Sequence, residues 1–505
     1  MNPRTMFARG MAGVFTGLTG FRKMKLTDSD RIFKDALLRG TGRCFAMLAT
    51  ESARRKYRPL VMWACGRNLG YDMQIEGTRA LFLFDLIGRY PSPEPFLDVV
   101  EKSFFASFNK GNWLFQQECE LLALFAKTGN ERAHRILEQG YLRFSQYLKR
   151  LNLERISKPY IPAPDNFDSL CKQLVYCAKP AEAPSMVERI VRDVGGLCMR
   201  DSFWNVSAEF MQIFFVEVVG DRRLATMLDR IDHSPEVEAY KAAVLQSKKK
   251  DESRDAERKK RQALGYKEVY RRIKKQDISG VRVIVGSWWR KGRTKDVEGI
   301  VRLYEKEKDP STRARILDAF RPPRLKGCLP LDSVLQDASS EDDGLRDSAF
   351  RALDGIKDQR VRDFAFEVLK KRGMSCEIAS LIASNYRESD DDLLIAALKK
   401  LGEMRSHHLG MGVLDNAGGK GGRLSKRILI YLFDTTRCSF CRERVVRELG
   451  RRGFLTREMA EECLHDANND IRDYAKRFLS RRRAKVTSNP VQKQKVRTMK
   501  PKPTV

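Results

Sequence analysis

The chain has 505 residues, of which 42% are hydrophobic, and its formal net charge is +30. This length suits several compact domains or one extended repeat array, and the hydrophobic content excludes a disordered protein. No apolar run approaches the ~18–20 residues of a membrane-spanning helix. The eleven scattered cysteines favour reduced thiols, so a cytoplasmic protein is expected.

The positive charge is concentrated in three segments. Residues 1–26 carry five basic residues and no acid, residues 241–295 carry nineteen basic and six acidic residues, and residues 476–505 carry eleven basic residues and no acid. The intervening ranges 27–240 and 296–475 are nearly neutral. Charge distributed in this way is typical of segments that contact a polyanion.

Residues 1–26 are expected to form a flexible basic arm. Their apolar part is short and is broken by Gly13, Gly17 and Gly20. A secretory signal is a poor fit because no small-residue cleavage site follows, whereas the absence of acids also suits an organellar transit peptide. An N-terminal targeting segment therefore stays open as an alternative to cytoplasmic localisation.

Residues 27–240 are predicted to form a first array of helical hairpins. The cluster of capping residues from Thr27 to Asp30 precedes an apolar face, which is typical of a helix start. Gly129 suits the left-handed position that ends one helix, and Asn130 suits the cap of the next. Residues 241–295 are predicted to be a basic helical connector, in which the best strand candidate, residues 281–285, is too isolated to pair.

Residues 296–475 are predicted to form a second array, because similar helix openings recur there. Leu345-Arg346-Asp347 leads into Ala349 and Leu353, and Val361-Arg362-Asp363 leads into Ala365 and Leu369. Related openings occur at residues 309–320, 391–402, 424–433 and 469–479, with two intervals of 33 residues among them. A period near 30–45 residues with two helices per unit indicates an all-α fold, namely an α-solenoid of antiparallel hairpins. An elongated molecule with Ala349, Leu353, Ala365 and Leu369 buried is expected.

These openings resemble the HEAT repeat in its short bacterial form, most clearly over residues 296–480. That form has an acidic residue, Val-Arg, an Ala-rich helix ending in Leu-Gly, a turn and a second helix. The resemblance implies a right-handed superhelix with a concave groove for a protein partner. It implies no chemistry and no cofactor, since the motif residues are structural.

Three stretches outside the repeats are candidates for nucleic-acid binding, namely the charged segment 248–276, the segment GSWWRKGRTK and the tail. In GSWWRKGRTK, two adjacent Trp lie among cations and could stack on bases, although one ring could instead be buried. The tail, residues 476–505, is expected to be disordered. The candidate nucleic-acid-binding residues are Lys248, Lys249, Lys250, Arg271, Arg272, Lys274, Lys275, Trp288, Trp289, Arg290, Lys291, Arg293, Lys295, Arg481, Arg482 and Arg483.

One set of residues has the elements of a zinc site. Cys438 and Cys441 form the only C-x-x-C in the sequence, and Cys463 and His465 follow. Half-buried cysteines on amphipathic helices explain the same pattern and are favoured, so no metal is predicted. The adjacent pair His407-His408 has no acidic or Cys partner at a useful spacing.

The sequence therefore predicts a non-enzymatic scaffold that holds a macromolecular partner and contacts DNA, RNA or another polyanion through its basic segments. One alternative is a scaffold that binds only protein. Another is a HEAT-like DNA glycosylase, for which Trp288, Trp289 and Asp296 are the residues available.

Overall fold

The computed structural model describes residues 26–71, 76–107, 113–150, 163–179, 182–200, 204–231, 233–320, 325, 327–401, 403–417 and 424–487. These residues form 26 α-helices, one short 3₁₀ turn and no strand, so the all-α prediction is confirmed. The strand candidate at 281–285 lies inside a helix. No helix among the described residues is both long and apolar enough to span a bilayer.

The first half of the described chain contains twelve helices. They are α1 (Asp28–Arg39), α2 (Arg43–Met47), α3 (Glu51–Cys65), α4 (Ala80–Ile87), α5 (Glu94–Ser107), α6 (Trp113–Lys127), α7 (Glu131–Arg150), α8 (Ala163–Cys177), α9 (Ala183–Arg200), α10 (Asn205–Val219), α11 (Asp221–Arg230) and α12 (Pro235–Gln262).

The second half of the described chain contains the remaining helices. They are α13 (Tyr266–Lys274), α14 (Ile278–Arg290), α15 (Thr294–Lys306), α16 (Pro310–Ala319), α17 (Leu331–Ala338), α18 (Asp343–Leu353), α19 (Gln359–Arg372), α20 (Cys376–Ser384), α21 (Asp391–Lys400), α22 (Glu403–Ala417), α23 (Lys426–Thr435), α24 (Ser439–Arg451), α25 (Arg457–Cys463) and α26 (Asn469–Thr487).

Local capping explains several of the helix boundaries. Thr27 accepts a hydrogen bond from the Asp30 backbone N–H at 3.3 Å, and Asp30 accepts one from the Thr27 N–H at 2.9 Å. This reciprocal arrangement is a capping box, which begins α1 where the sequence predicted a start. Gly129 has φ +92° after α6, and Asn130 accepts from the Ala133 N–H at 2.9 Å to begin α7. Both predictions at that break are confirmed.

The even-numbered helices form one continuous row. From α4 to α26, each even-numbered helix packs against the next even-numbered helix along the chain. The row passes through α12 and α14, so the predicted connector at 241–295 is part of it. What changes there is the core: one apolar cluster ends at Ala243, and a second begins at Val269. Residues 266–290 therefore contribute packed helices and not a separate linker.

The two ends of this row meet. Arg472 on α26 pairs with Asp85 on α4 at 2.8 Å, and the Ala467 N–H donates to the Gly40 carbonyl at 2.8 Å. A Cβ on Gly42 would lie 1.9 Å from the Glu462 carbonyl oxygen, so only glycine allows this approach. The prediction of an elongated molecule is wrong in this respect, because polar and backbone contacts close the first helices onto the last.

The repeated openings place the same residue types at the same helix position. Arg346 and Arg362 are each the fourth residue of a helix, α18 and α19, as the sequence predicted. Ala349, Leu353 and Ala365 are fully buried, whereas Leu369 is only half-buried. The two arginines differ in use, since Arg346 pairs locally with Asp343 and Arg362 is buried against Asp390 at 2.8 and 2.9 Å.

The predicted disordered tail begins too early. Helix α26 runs to Thr487, and its Phe478 and Leu479 pack against the second core. The apolar contacts of these two side chains make residues 476–479 part of the folded array. Residues 488–505 lie outside the described residues, as do residues 1–25 of the predicted N-terminal arm.

Glu118 on α6 gives a pH-dependent stability that can be measured. Its side chain is fully buried and accepts a hydrogen bond from Ser107 Oγ at 2.6 Å. Burial raises the pKa of Glu118 to about 8, so the folded chain holds a proton there that the unfolded chain, with a pKa of ~4.3, releases. The contribution of Glu118 to stability is therefore complete below ~pH 4.3 and is lost as the pH rises through about 8.

We expect Glu118→Gln to reduce the loss of folding stability that accompanies a rise in pH. Urea unfolding from pH 5 to pH 9 should give a parent-minus-variant free energy of unfolding that falls with pH, by up to ~1.4 kcal/mol per pH unit. Glu131→Gln, at an exposed position in the first turn of α7, is the control and should follow the parent. A Glu118→Gln profile parallel to that of the parent would contradict the burial of a protonated Glu118.

Candidate polyanion interface and cysteine–histidine cluster

The second half of α12 is exposed to solvent up to its last residues. Ser234 caps this helix, and Pro235 is its first residue. The side chains buried in its first turns are Val237, Tyr240 and Ala243. From residue 248 to residue 261 every side chain is exposed. Salt bridges along the helix, such as Arg254–Asp251 at 3.3 Å and Arg258–Asp255 at 3.1 Å, support it in place of packing.

The acids of this helix do not neutralise all its cations. Lys248, Lys249 and Lys250 are exposed, and so are Lys259 and Lys260. Among the described residues, the salt bridges of this half of α12 use Arg254, Arg258 and Arg261. The lysines are therefore available to an external anion.

Hydrogen bonds hold the turn after α14 against the end of α12. Arg293 donates to the Gln262 carbonyl at 3.2 Å, and Trp288 Nε1 donates to the Leu264 carbonyl at 2.9 Å. Asp296 accepts from the Tyr266 N–H at 3.1 Å and pairs with Arg293 at 2.7 Å. Two basic turns that are about thirty residues apart in sequence thus lie side by side where α12 meets α14.

We call the exposed cations at this junction the basic pole. Each of them has an exposed side chain, and only Arg261 among them forms a described salt bridge, a 3.5 Å contact with Glu257. The electrostatic potentials of neighbouring cations add, so such a cluster attracts a phosphate backbone more strongly than isolated charges do. The basic pole consists of Lys259, Lys260, Arg261, Arg290, Lys291 and Lys295.

The two adjacent tryptophans have different environments. Trp288 is fully buried in the second core and its indole N–H is already bonded, so it offers no face to a base. Trp289 is 37% exposed and lies beside the basic pole. Of the two rings proposed to stack on bases, only Trp289 is in a position to do so.

The remaining candidates are partly engaged in structural contacts. Arg271 and Arg272 pair with Glu268, and Lys274 pairs with Glu307 at 3.3 Å. Lys275 and Arg481 are exposed. The side chains of Arg482 and Arg483 lie outside the described residues.

Of the residues considered for a glycosylase, Asp296 and Trp288 are used by the fold. The Asp296 carboxylate holds the start of α13 and the side chain of Arg293, as given above, and Trp288 is core.

The proposed zinc set is divided between two places. Cys438 and Cys441 lie at the start of α24, but Cys463 is buried in the second core and the His465 ring stacks on Phe45 at 4.7 Å. Instead His407, on α22, joins the two cysteines, with one potential ligand atom from each residue within 4.8 Å of the others. The sequence reasoning missed His407 because the nearer cysteine is 31 residues away in the chain.

The two thiols of this cluster differ in proton affinity. The hydrogen bond from the Cys441 side chain, and more weakly that from His407, lowers the pKa of Cys438 to about 5 against the effect of burial. The resulting Cys438 thiolate, together with burial, raises the pKa of Cys441 well above its usual range.

Comparisons with known proteins assign no family to this chain. Neither a protein-family model nor a curated protein sequence matches it. One solved structure that does match, the crystal structure of an engineered protein, is 12% identical over 89% of this chain and 98% of its own, with a TM-score of 0.19. A likeness this weak supports no inference about fold or function.

Proposed function

We propose that this chain is a non-enzymatic scaffold of the HEAT-like α-solenoid type, with a right-handed superhelix, and that its basic pole binds the phosphate backbone of a nucleic acid. The observation that carries the proposal is the junction of two basic turns where α12 meets α14, between two nearly neutral ranges of the chain. The continuous row of even-numbered helices supports the repeat assignment, since each unit contacts its neighbours along the chain. A protein held in the groove and a cytoplasmic location belong to the same proposal.

Binding at the basic pole should depend weakly on base sequence and strongly on salt. Lys and Arg side chains at exposed turns contact phosphates, and phosphate contacts carry no sequence information directly. On duplex DNA, log affinity decreases as log salt concentration increases. Each phosphate contact that is lost makes this dependence shallower by about 0.9. Trp289 can add a stacking contact with an unpaired base.

We expect the triple variant Arg290→Gln/Lys291→Gln/Lys295→Gln to make the salt dependence shallower. The magnitude of the slope should decrease by up to ~2.7, which corresponds to three contacts at about 0.9 each. Fluorescence polarisation with a labelled duplex, a single-stranded RNA and heparin, each at several salt concentrations, measures the slope and distinguishes the polyanions. The matched control is Lys370→Gln/Lys371→Gln/Arg372→Gln, which removes three adjacent exposed cations at the end of α19.

The control variant should bind like the parent. If both triple variants lose affinity equally, the binding follows net charge and the basic pole is not the site. If the parent binds no better at low salt than a neutral protein of similar size, the polyanion proposal is overturned. A truncation after Thr487 tests residues 488–505 separately without removing the packed end of α26.

An exposed apolar face on α10 favours a second candidate function, a scaffold that binds protein alone. Val206, Phe210 and Ile213 follow one another at helical spacing and are 69%, 47% and 55% exposed. Met199 on α9 and Leu245 on α12, both largely exposed, lie on helices that pack beside each other. Contiguous exposed apolar side chains of this kind mark interaction sites. Partner binding here would survive the basic-pole substitutions and be lost in Phe210→Glu.

A further inference from the structure

His407, Cys438 and Cys441 converge at the place where the two ends of the helical row meet. Cys438 is the residue just before α24, and Cys441 is the third residue of that helix. His407 reaches them from α22, which packs against α24. Both cysteines are buried and His407 is half-buried, so one side of the cluster faces solvent.

The separations within the cluster suit a tetrahedral metal ion. His407 Nε2 lies 3.0 Å from Cys441 Sγ, and no pair of the three potential ligand atoms exceeds 4.8 Å. Zinc–sulfur and zinc–nitrogen bonds of about 2.3 and 2.0–2.1 Å, at tetrahedral angles, place ligand atoms about 3.5–3.8 Å apart. Changes of up to about 1 Å in these separations would therefore bring all three atoms to bonding distance.

Residues of the first helices fix the surroundings of the cluster. The Tyr71 ring lies 4.9 Å from the His407 ring, and the Tyr71 N–H donates to the Glu76 carboxylate at 2.6 Å. The same carboxylate accepts from the Ser439 N–H at the start of α24 and pairs with buried Arg79 at 3.0 Å. These contacts orient α24 so that its first turn, where N–H groups favour thiolates, faces the imidazole.

We propose that Cys438, Cys441 and His407 bind a thiophilic divalent cation, zinc above all, at the closure of the helical row, with solvent as the fourth ligand. A donor set of two thiolates and one imidazole binds zinc in preference to magnesium or calcium. On binding, the thiol proton of Cys441 passes to solvent. The ion would tie α22 to α24 beneath Tyr71 and so stabilise the contact between the first helices and the last. The proposal does not depend on the polyanion function.

Metal analysis of the full-length chain tests this directly. After expression in zinc-supplemented medium and gel filtration, mass spectrometry of the metal should find zinc equimolar with the parent protein. Exchange into cobalt(II) should give thiolate-to-cobalt charge-transfer absorption in the near ultraviolet and the visible d–d bands of a tetrahedral site.

Matched variants separate the cluster from its neighbours in sequence and space. His407→Gln and Cys441→Ser should lose the zinc, whereas His408→Gln, at the adjacent exposed histidine, and Cys463→Ser, at a buried cysteine outside the cluster, should keep it. If a cluster variant fails to fold, competition between the parent and a chromophoric zinc chelator decides the question. A tight site supports the proposal, and no measurable affinity overturns it.

Three other results would also overturn the proposal. One is a folded parent that contains no zinc and gives no cobalt absorption. Another is Cys441→Ser that retains equimolar zinc. The last is a metal-free parent whose intact mass and thiol count show a disulfide between Cys438 and Cys441, which would make the pair a redox site.

Discussion

Arg442→Ala should lower the free energy of unfolding by about 3–5 kcal/mol, because it leaves the buried Asp466 carboxylate without its partner. Arg442 is completely buried, and its guanidinium donates two hydrogen bonds to Asp466, each 2.9 Å long. It also donates to the carbonyls of Thr436 at 3.2 Å and Gly40 at 3.4 Å. The substitution therefore removes hydrogen bonds both to Gly40, in the first part of the chain, and to Thr436 and Asp466, in the last part.

The matched control lies on the same helix. Arg451 pairs with Glu448 at 2.7 Å, but its side chain is 56% exposed and remains hydrated when the pair is broken. Arg451→Ala should melt close to the parent. Urea and thermal unfolding of the three proteins, followed by circular dichroism, measure the difference. Equal stability of the two variants would show that Arg442 does not hold the closure.

Leu353→Asp should be as severe, with a cost on the order of 5 kcal/mol. Leu353 is fully buried in the second core at the end of α18, so the substitution removes apolar contacts and places a carboxyl group where no water reaches it. The group escapes part of the penalty by taking up a proton, but the lost packing is not recovered.

Leu369→Asp is the control for this substitution, because Leu369 holds the same place in the second copy of the repeated opening. Its side chain is half-buried, so a carboxylate there can reach water. Thermal unfolding should rank the parent first, Leu369→Asp second and Leu353→Asp last. A Leu353→Asp protein that melts with the parent would mean that the register of α18 is wrong.

Three Arg–Asp pairs with a buried aspartate occur at the same helix position, and two of the arginines, Arg313 and Arg362, belong to the repeated openings of the sequence. Arg313, Arg362 and Arg442 are each the fourth residue of a helix, and each pairs with a buried aspartate 24–28 residues later. A guanidinium at this position can reach an aspartate near the start of a later helix. It can then donate hydrogen bonds to both oxygens of that carboxylate. At Arg313 and Arg362 the repeated arginine therefore makes a tertiary contact, whereas Arg346 pairs within its own helix.

The local features of this protein follow from the order of its residues alone. Helix starts at Thr27 and Asn130, the break at Gly129 and the buried face of Ala349 and Leu353 follow from interactions within four residues or one helical turn. Hydrogen bonding of a cap, left-handed backbone at glycine and the spacing of apolar side chains act over that range, so the pattern in the sequence is sufficient.

Packing between helices sets which of two similar neighbouring residues is buried and which is exposed. Trp288 is core and Trp289 is half-exposed, and His407 faces the cysteines whereas His408 faces solvent. The choice depends on the rotation of one helix about its axis against its neighbours. Adjacent residues on a helix point about 100° apart, so a modest rotation exchanges their environments.

The closure of the helical row was likewise beyond the sequence pattern. It joins Gly40 to Ala467 and Asp85 to Arg472, residues separated by about four hundred positions. Whether such ends meet is set by the angles between successive helix pairs, and small differences in these angles add up along the row. Side-chain volumes at each interface fix those angles, and no local periodicity records their sum.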